Sequence, residues 1–307
     1  MKNPDQFTVW QLFYQQLILF HQLLEERDIV YLDSHVPNID PLHWSWHHDG
    51  GLFIGSVFNR LGILSTMNYR HAFHAGNHTE IFKHAVLILL LEHFLKKPQP
   101  FMVLDTHAGI GVYDLKAEEA ERTLERCEGI EKVFNQEIPA LRSYEAIIRR
   151  INDGGLRFYA GSPEIIRQML RPDDRLVACE RHPADFDLLQ QRYIKARGVR
   201  TENRDGYEAV RALLPPAARR GLVFIDPPFE ARDEAERMAN AVQDGMRRFA
   251  NGVFCLWYPL KDTKIGDYLA KTIVAAGYPK ARRLEFVPYQ PDGQRLAGSG
   301  IIVINTP

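Results

Sequence analysis

The sequence predicts an α/β protein: a mostly parallel sheet of seven strands, helices on both of its faces, and one small helical insertion. Three observations lead there. From Phe101 onward, apolar runs of strand length alternate with longer helix-favouring stretches, the signature of strands joined by crossover helices. Several of those runs end on an acidic residue, as at Asp105, Glu180 and Asp226. A single charged stretch, 114–154, breaks the alternation and contains no strand-like run.

Taken in order, MNYRHAFHAGNHTEIFKH leads into AVLILLLEHFL, an apolar helix ended by Pro98 and Pro100. The first strand is FMVLD (Phe101–Asp105), followed by a glycine-containing loop. After the insertion, which Gly154-Gly155 closes, a strand over Arg175–Glu180 feeds a helix at about 184–196. A short strand near Val199–Asn203 feeds a helix ending before Pro215, and LVFID (Leu222–Asp226) feeds a long helix at about 231–249. VFCLWY (Val253–Tyr258) precedes a helix near 261–276. Two closing strands, near 282–288 and 300–305, are joined by the turn-rich QPDGQ, a connection short enough for an antiparallel pair.

Composition bounds the function. With 45% apolar and 25% charged residues over 307 positions, the chain is neither disordered, collagenous nor disulfide-rich, and it is long enough for a sizeable core. Its longest clean apolar run, Ala85–Leu91, is too short to span a bilayer, so no membrane association is expected. Cys127, Cys179 and Cys255 are too widely spaced for a disulfide framework or a zinc pattern, which suits a reducing cytoplasm. The charge balance of 38 basic to 39 acidic residues hides a split. Residues 1–66 hold three basic and seven acidic residues and three of the four tryptophans, whereas the rest hold 35 basic and 32 acidic. The expected organisation is an extension over 1–66 with a helix at 7–24, a main domain over 67–113 and 155–307, and an inserted subdomain over 114–154.

Four motifs carry chemistry. Asp105-Thr106-His107-Ala108-Gly109-Ile110-Gly111 follows a strand, and its glycines permit a tight turn with close backbone approach to a ligand. The third glycine of a dinucleotide fingerprint is replaced by Asp114, which disfavours hydride chemistry and suits S-adenosylmethionine, a cofactor without a pyrophosphate. Glu180 closes the next main strand, where a carboxylate accepts hydrogen bonds from ribose hydroxyls. Asp205-Gly206 follows the third, placed to meet an adenine amine, although the dipeptide is also a common turn. The sharpest motif is Asp226-Pro227-Pro228-Phe229. A carboxylate and a backbone carbonyl can accept both hydrogens of an exocyclic amine, prolines stiffen that backbone, and an aromatic ring stacks on an extruded base. His71, His74, His78 and His84 crowd the segment before the apolar helix, but no cysteine or carboxylate pair joins them in register, so no metal is expected.

These motifs fit amino-directed methyltransferases, and the combination is narrower. MNYRHAFHAGNHTEIFKH, LDTHAGIGVYDL, YAGSP, ERHP, RDG, RRGLVFIDPPFE, CLWYP and SGIIVIN together resemble the RlmJ family, over about 67–305. That resemblance implies a Rossmann-like class I methyltransferase using S-adenosylmethionine to methylate N6 of an adenine in 23S ribosomal RNA. It places the cofactor on His84, His107, Ser162, Glu180, Asp205, Gly206 and Asp226, with Lys83 beside them and Gly109 in the loop. It makes Asp226 catalytic within Asp226-Pro227-Pro228-Phe229, and sets Tyr69 against the RNA with Arg70 available to a phosphate. A cytoplasmic monomer is expected. The rivals are a guanine-N2 methyltransferase of ribosomal RNA and a ribosomal-RNA-binding assembly factor without catalysis. Family chains start near the position of Met67 and continue beyond SGIIVIN. Residues 1–66 are therefore expected to be either an upstream misassigned start or an appended segment, whose 7–24 helix would dock beside the last strands.

Overall fold

A computed structural model describes residues 17–18, 74–134, 138, 141–289 and 296–307. Tyr69, Arg70, His71, the tryptophan cluster and the QPDGQ turn lie outside the described residues, as does the 7–24 helix except for Leu17 and Ile18. Those two are helical, and Leu17 is fully buried within the larger apolar core.

The first long element is α1 (His78–Leu95), started by Asn77, whose side chain accepts from the Glu80 amide. It is buried on almost every side, as a helix apolar all round must be. The main sheet has the order β5-β4-β1-β6-β7-β9-β8. Its parallel strands are β1 (Met102–Asp105), β4 (Arg175–Glu180), β5 (Val199–Asn203), β6 (Gly221–Ile225) and β7 (Val253–Leu260). The last, β9 (Gly298–Ile304), is antiparallel to both β7 and β8 (Arg282–Phe286), so the closing pair is antiparallel as expected. The chain runs outward from β1 through β4 to β5, then returns to the other side of β1 as β6. That reversal opens a crevice at the carboxyl ends of β1 and β6, the usual ligand position in such sheets.

Period-two alternation gives the sheet two apolar faces. Leu222 and Phe224 join α1, α5 (Ser162–Met169) and the insertion in one core. Val223 and Ile225 join α7 (Gly206–Leu213), α8 (Glu234–Arg248) and α9 (Lys264–Ala275) in the other. The remaining layer helix, α6 (Pro183–Tyr193), follows β4.

The insertion contains α2 (Glu118–Thr123), a 3-10 turn (Glu125–Glu128), α3 (Ile130–Val133) and α4 (Arg142–Arg150). Its neck is a two-stranded antiparallel ribbon, β2 (Val112–Asp114) with β3 (Phe158–Ala160), in the register Tyr113↔Tyr159. The sequence pattern predicts neither this ribbon nor α5. Three-residue strands are too short to show alternation, and α5 begins two residues after β3. The insertion seals onto the start of α1. The Ile130 amide donates to the Gly76 carbonyl at 2.8 Å, Asn77 Nδ2 donates to Glu125 at 2.8 Å, and a Cβ on Gly129 would collide with the Gly76 carbonyl.

At the amino end of β1, Asp174 is fully buried and accepts from the Phe101 amide at 3.0 Å, the Arg171 amide at 2.9 Å, and Arg171 Nε at 2.8 Å. The guanidiniums of Arg171 and Arg220 lie over the Phe101 ring.

Candidate active site

The loop after β1 spans the crevice. The Thr106 amide donates to the Phe224 carbonyl of β6 at 3.0 Å, and the Ala108 amide to the Cys179 carbonyl of β4 at 2.8 Å. Gly109 and Gly111 both take positive φ, +60° and +84°, and a Cβ on Gly111 would strike the Tyr193 hydroxyl. The Gly109 amide donates to Glu180 Oε2 at 2.9 Å, and the His182 amide donates to Oε1 at 2.7 Å. Burial still holds the Glu180 pKa above its ordinary value.

Asp205 caps α7: Oδ1 accepts from the Tyr207 amide at 2.9 Å, while Oδ2 pairs with Arg181 at 3.0 Å and Arg237 at 3.2 Å. A Cβ on the next residue, Gly206, would collide with the Thr106 carbonyl, so this turn and the β1 loop touch backbone to backbone. Glu180, Asp205, Gly206 and His107 line a cavity of about 330 Å³ together with Tyr207 and Pro228. The His107 imidazole bonds Thr106 Oγ1 at 2.8 Å and meets the Tyr207 ring edge-on. A concave wall with an acidic side chain at the end of β4, and glycine where a side chain would intrude, fits the adenosine moiety of a nucleoside cofactor.

Beside the cavity lies a buried charged cluster. Asp226 follows β6 and is 3% exposed. Its Oδ2 accepts from Lys83 Nζ of α1 at 2.5 Å, and the same ammonium donates to Glu80 Oε1 at 2.5 Å. Burial works against the Lys83 charge, but the Asp226 and Glu80 carboxylates outweigh it and raise its pKa. Burial also pushes Asp226 up to about 6; Lys83 opposes that rise and Glu80 adds to it. Asp105, fully buried at the end of β1, is pushed up to about 7 by desolvation and by Asp226, with the Ser162 hydroxyl and the His107 amide favouring its charged form.

Aromatic groups wall this cluster. Trp257 of β7 lies 5.0 Å from Lys83 Nζ and donates to Ser299 Oγ at 2.5 Å. Phe229 meets Trp257 edge-on at 6.0 Å and holds φ at +50°, in the left-handed region. Pro227 is buried, and Pro228 reaches the cavity wall.

The structure thus brings His107, Glu180, Asp205 and Gly206 to one cavity, Gly109 behind Glu180, and Lys83 to Asp226. His84 and Ser162 stand outside that cavity wall: His84 is buried with Nδ1 2.8 Å from the Tyr159 hydroxyl, and Ser162 starts α5 beside Asp105. The sequence reading missed Glu80, Tyr159, Arg181 and Arg237. One available signal was the three-residue spacing of Glu80 from Lys83 on a helix. Among the described residues, no group of three or more His, Cys, Asp or Glu is placed to hold a metal ion.

A parallel sheet with its last strand reversed, a glycine loop after the first strand, an acid closing the second and Asp-Pro-Pro-Phe after the fourth define a Rossmann-like methyltransferase. The family model described as ribosomal RNA large subunit methyltransferase D, RlmJ, matches residues 98–307, and this chain belongs to that family. It is 41% identical over 246 residues to ribosomal RNA large subunit methyltransferase J of Escherichia coli, covering 78% of this chain and 88% of that protein. The protein of the same description in Haemophilus influenzae is 39% identical with the same coverage. A Legionella pneumophila protein of known crystal structure superposes with a TM-score of 0.70 at 32% identity, covering 76% of this chain and 87% of that one.

Proposed function

We propose that this chain transfers a methyl group from S-adenosylmethionine to the exocyclic N6 amine of an adenine in 23S ribosomal RNA, acting in the cytoplasm as a monomer. The observation that carries this reading is Asp226, buried at the head of Asp-Pro-Pro-Phe, salt-bridged to Lys83 and two residues from the cavity wall. The two relatives named as large-subunit ribosomal RNA methyltransferases support the substrate class. Among the described residues, no helix is long and apolar enough to cross a membrane.

When bound, the cofactor supplies an already electrophilic methyl group. The chain's own task is to hold and orient the amine, whose lone pair is delocalised into the adenine ring. Lys83 holds Asp226 Oδ2, which leaves Oδ1 to accept an N6 hydrogen and turn the lone pair out of the ring plane. Asp226 in its ionised form then takes the proton that the amine sheds. Phe229, fixed against Trp257, offers a face to the extruded base. Glu180 would hold the cofactor's ribose hydroxyls, its own orientation set by the Gly109 and His182 amides. Lys83 itself is fully buried, and so serves Asp226 rather than an RNA phosphate.

The test is methylation of 23S transcripts with labelled S-adenosylmethionine, followed by nucleoside mass spectrometry and mapping. N6-methyladenosine is the expected product. N2-methylguanosine would move the enzyme to the guanine-directed class, and cofactor binding without transfer would point to an assembly factor.

A further inference from the structure

Glu80 is the one member of the charged cluster that no motif assigns. Its sequence context offers a plain explanation: Asn77-His78-Thr79-Glu80 has the spacing of a capping box, in which the third-position Glu reaches back to the cap residue's amide. Only half of that box forms. Asn77 Oδ1 accepts from the Glu80 amide at 2.8 Å, but the Asn77 amide donates instead to the His74 carbonyl at 3.1 Å. The Glu80 carboxylate turns forward into the core, to Lys83 Nζ at 2.5 Å and to within 3.8 Å of His84 Nε2. His84 is itself fixed from the far side, by the Tyr159 hydroxyl at 2.8 Å and a stacked Tyr159 ring.

Among the described residues, two carboxylates thus meet the Lys83 ammonium, with Lys83 1% and Glu80 7% exposed. That geometry gives Lys83 a counter-ion besides Asp226. An amine that gains a methyl group before losing a proton passes through a positively charged nitrogen, and a negative charge held beside it lowers that barrier. A lone Lys83–Asp226 pair would be neutral. Resting on the methyltransferase reading above, we propose that Glu80 is a positioning residue. Its carboxylate serves as the counter-ion of Lys83 and leaves the negative charge of Asp226 to the amine being methylated.

The test uses the full chain and the near-isosteric Glu80→Gln, with Glu80→Asp as the charge-preserving variant. At saturating RNA and cofactor, Glu80→Gln should methylate at least about tenfold more slowly, with the KM for RNA unchanged within about twofold. Calorimetric titration supplies the second readout. The cationic S-adenosylmethionine should bind Glu80→Gln at least about threefold more weakly, while neutral S-adenosylhomocysteine binds as before. Glu80→Asp should recover part of both losses. A Glu80→Gln enzyme as fast as wild type, or one that loses both ligands in equal proportion, overturns the proposal, the second outcome being that of a merely structural residue. Wild-type protein that binds both ligands yet methylates no 23S transcript overturns the functional reading instead.

Discussion

The two ends of β1 handle buried carboxylates in opposite ways. At the amino end, Asp174 is fully buried yet receives two backbone amides and a guanidinium; desolvation is outweighed and its pKa lies below the ordinary value. At the carboxyl end, Asp105 and Asp226 are as deeply buried and rise to about 7 and about 6. The residue type and the depth are alike; the number and kind of donors differ, two backbone amides and a guanidinium at Asp174 against the Lys83 ammonium at Asp226. Where donors outweigh desolvation the carboxylate stays charged, and where they do not its pKa rises towards the range of proton transfer.

The largest effect that would sharpen this contrast is on catalysis. Asp226→Asn keeps the shape but not the charge, and should slow methyl transfer by about 10²–10⁴-fold in protein that still folds. In the wild type, single-turnover rates should fall as pH drops through about 6, because the ionised Asp226 is the active form. A rate flat across that range would break the assignment. Next, Asp174→Ala should cost about 3 kcal/mol in urea unfolding, by stripping partners from the Phe101 and Arg171 amides, while folded enzyme keeps its rate. A rate loss matching that of Asp226→Asn would erase the distinction between the two ends.

Asp105→Asn should act in the other direction. With the native pKa raised above the ordinary 3.8, the charged form burdens the fold above pH 7; as pH falls, the native state takes up a proton before the unfolded chain does, and wild-type stability rises. The variant should therefore be more stable by about 2 kcal/mol at pH 8, with that margin shrinking towards pH 5. The smallest effect belongs to a carboxylate with partners to spare. Glu164 accepts from Arg167, Gln168 and Tyr193, so Tyr193→Phe should cost only about 1 kcal/mol by thermal melting.

Much of this was legible in the sequence, for local reasons. An apolar run ending in an acid marks both a strand and the crevice at its carboxyl end, so Asp105, Glu180 and Asp226 were found along with the sheet. What escaped notice depends on contacts distant in sequence. Lys83 and Asp226 are 143 residues apart, and only the packing of α1 against the sheet unites them. Glu80 carried the signal of a helix cap, which the structure half discards. Asp174 sits in Arg-Pro-Asp-Asp-Arg, where nothing local separates it from its neighbour Asp173, although Asp174 alone is enclosed. The neck of the insertion was too short to register as strands.

That neck bears on how such an enzyme can change over time. Its two strands enter and leave side by side, the arrangement of a cassette that could be exchanged without disturbing the sheet. Yet the cassette is also fastened to the first turn of α1 through Gly76, Asn77 and Gly129, and its closing strand supplies Tyr159 to the helix that carries Lys83. Swapping the insertion for a foreign one would therefore disturb the anchorage of the helix that carries Glu80, Lys83 and His84 as well. A graft that respects the fold has to carry the start of α1 with it.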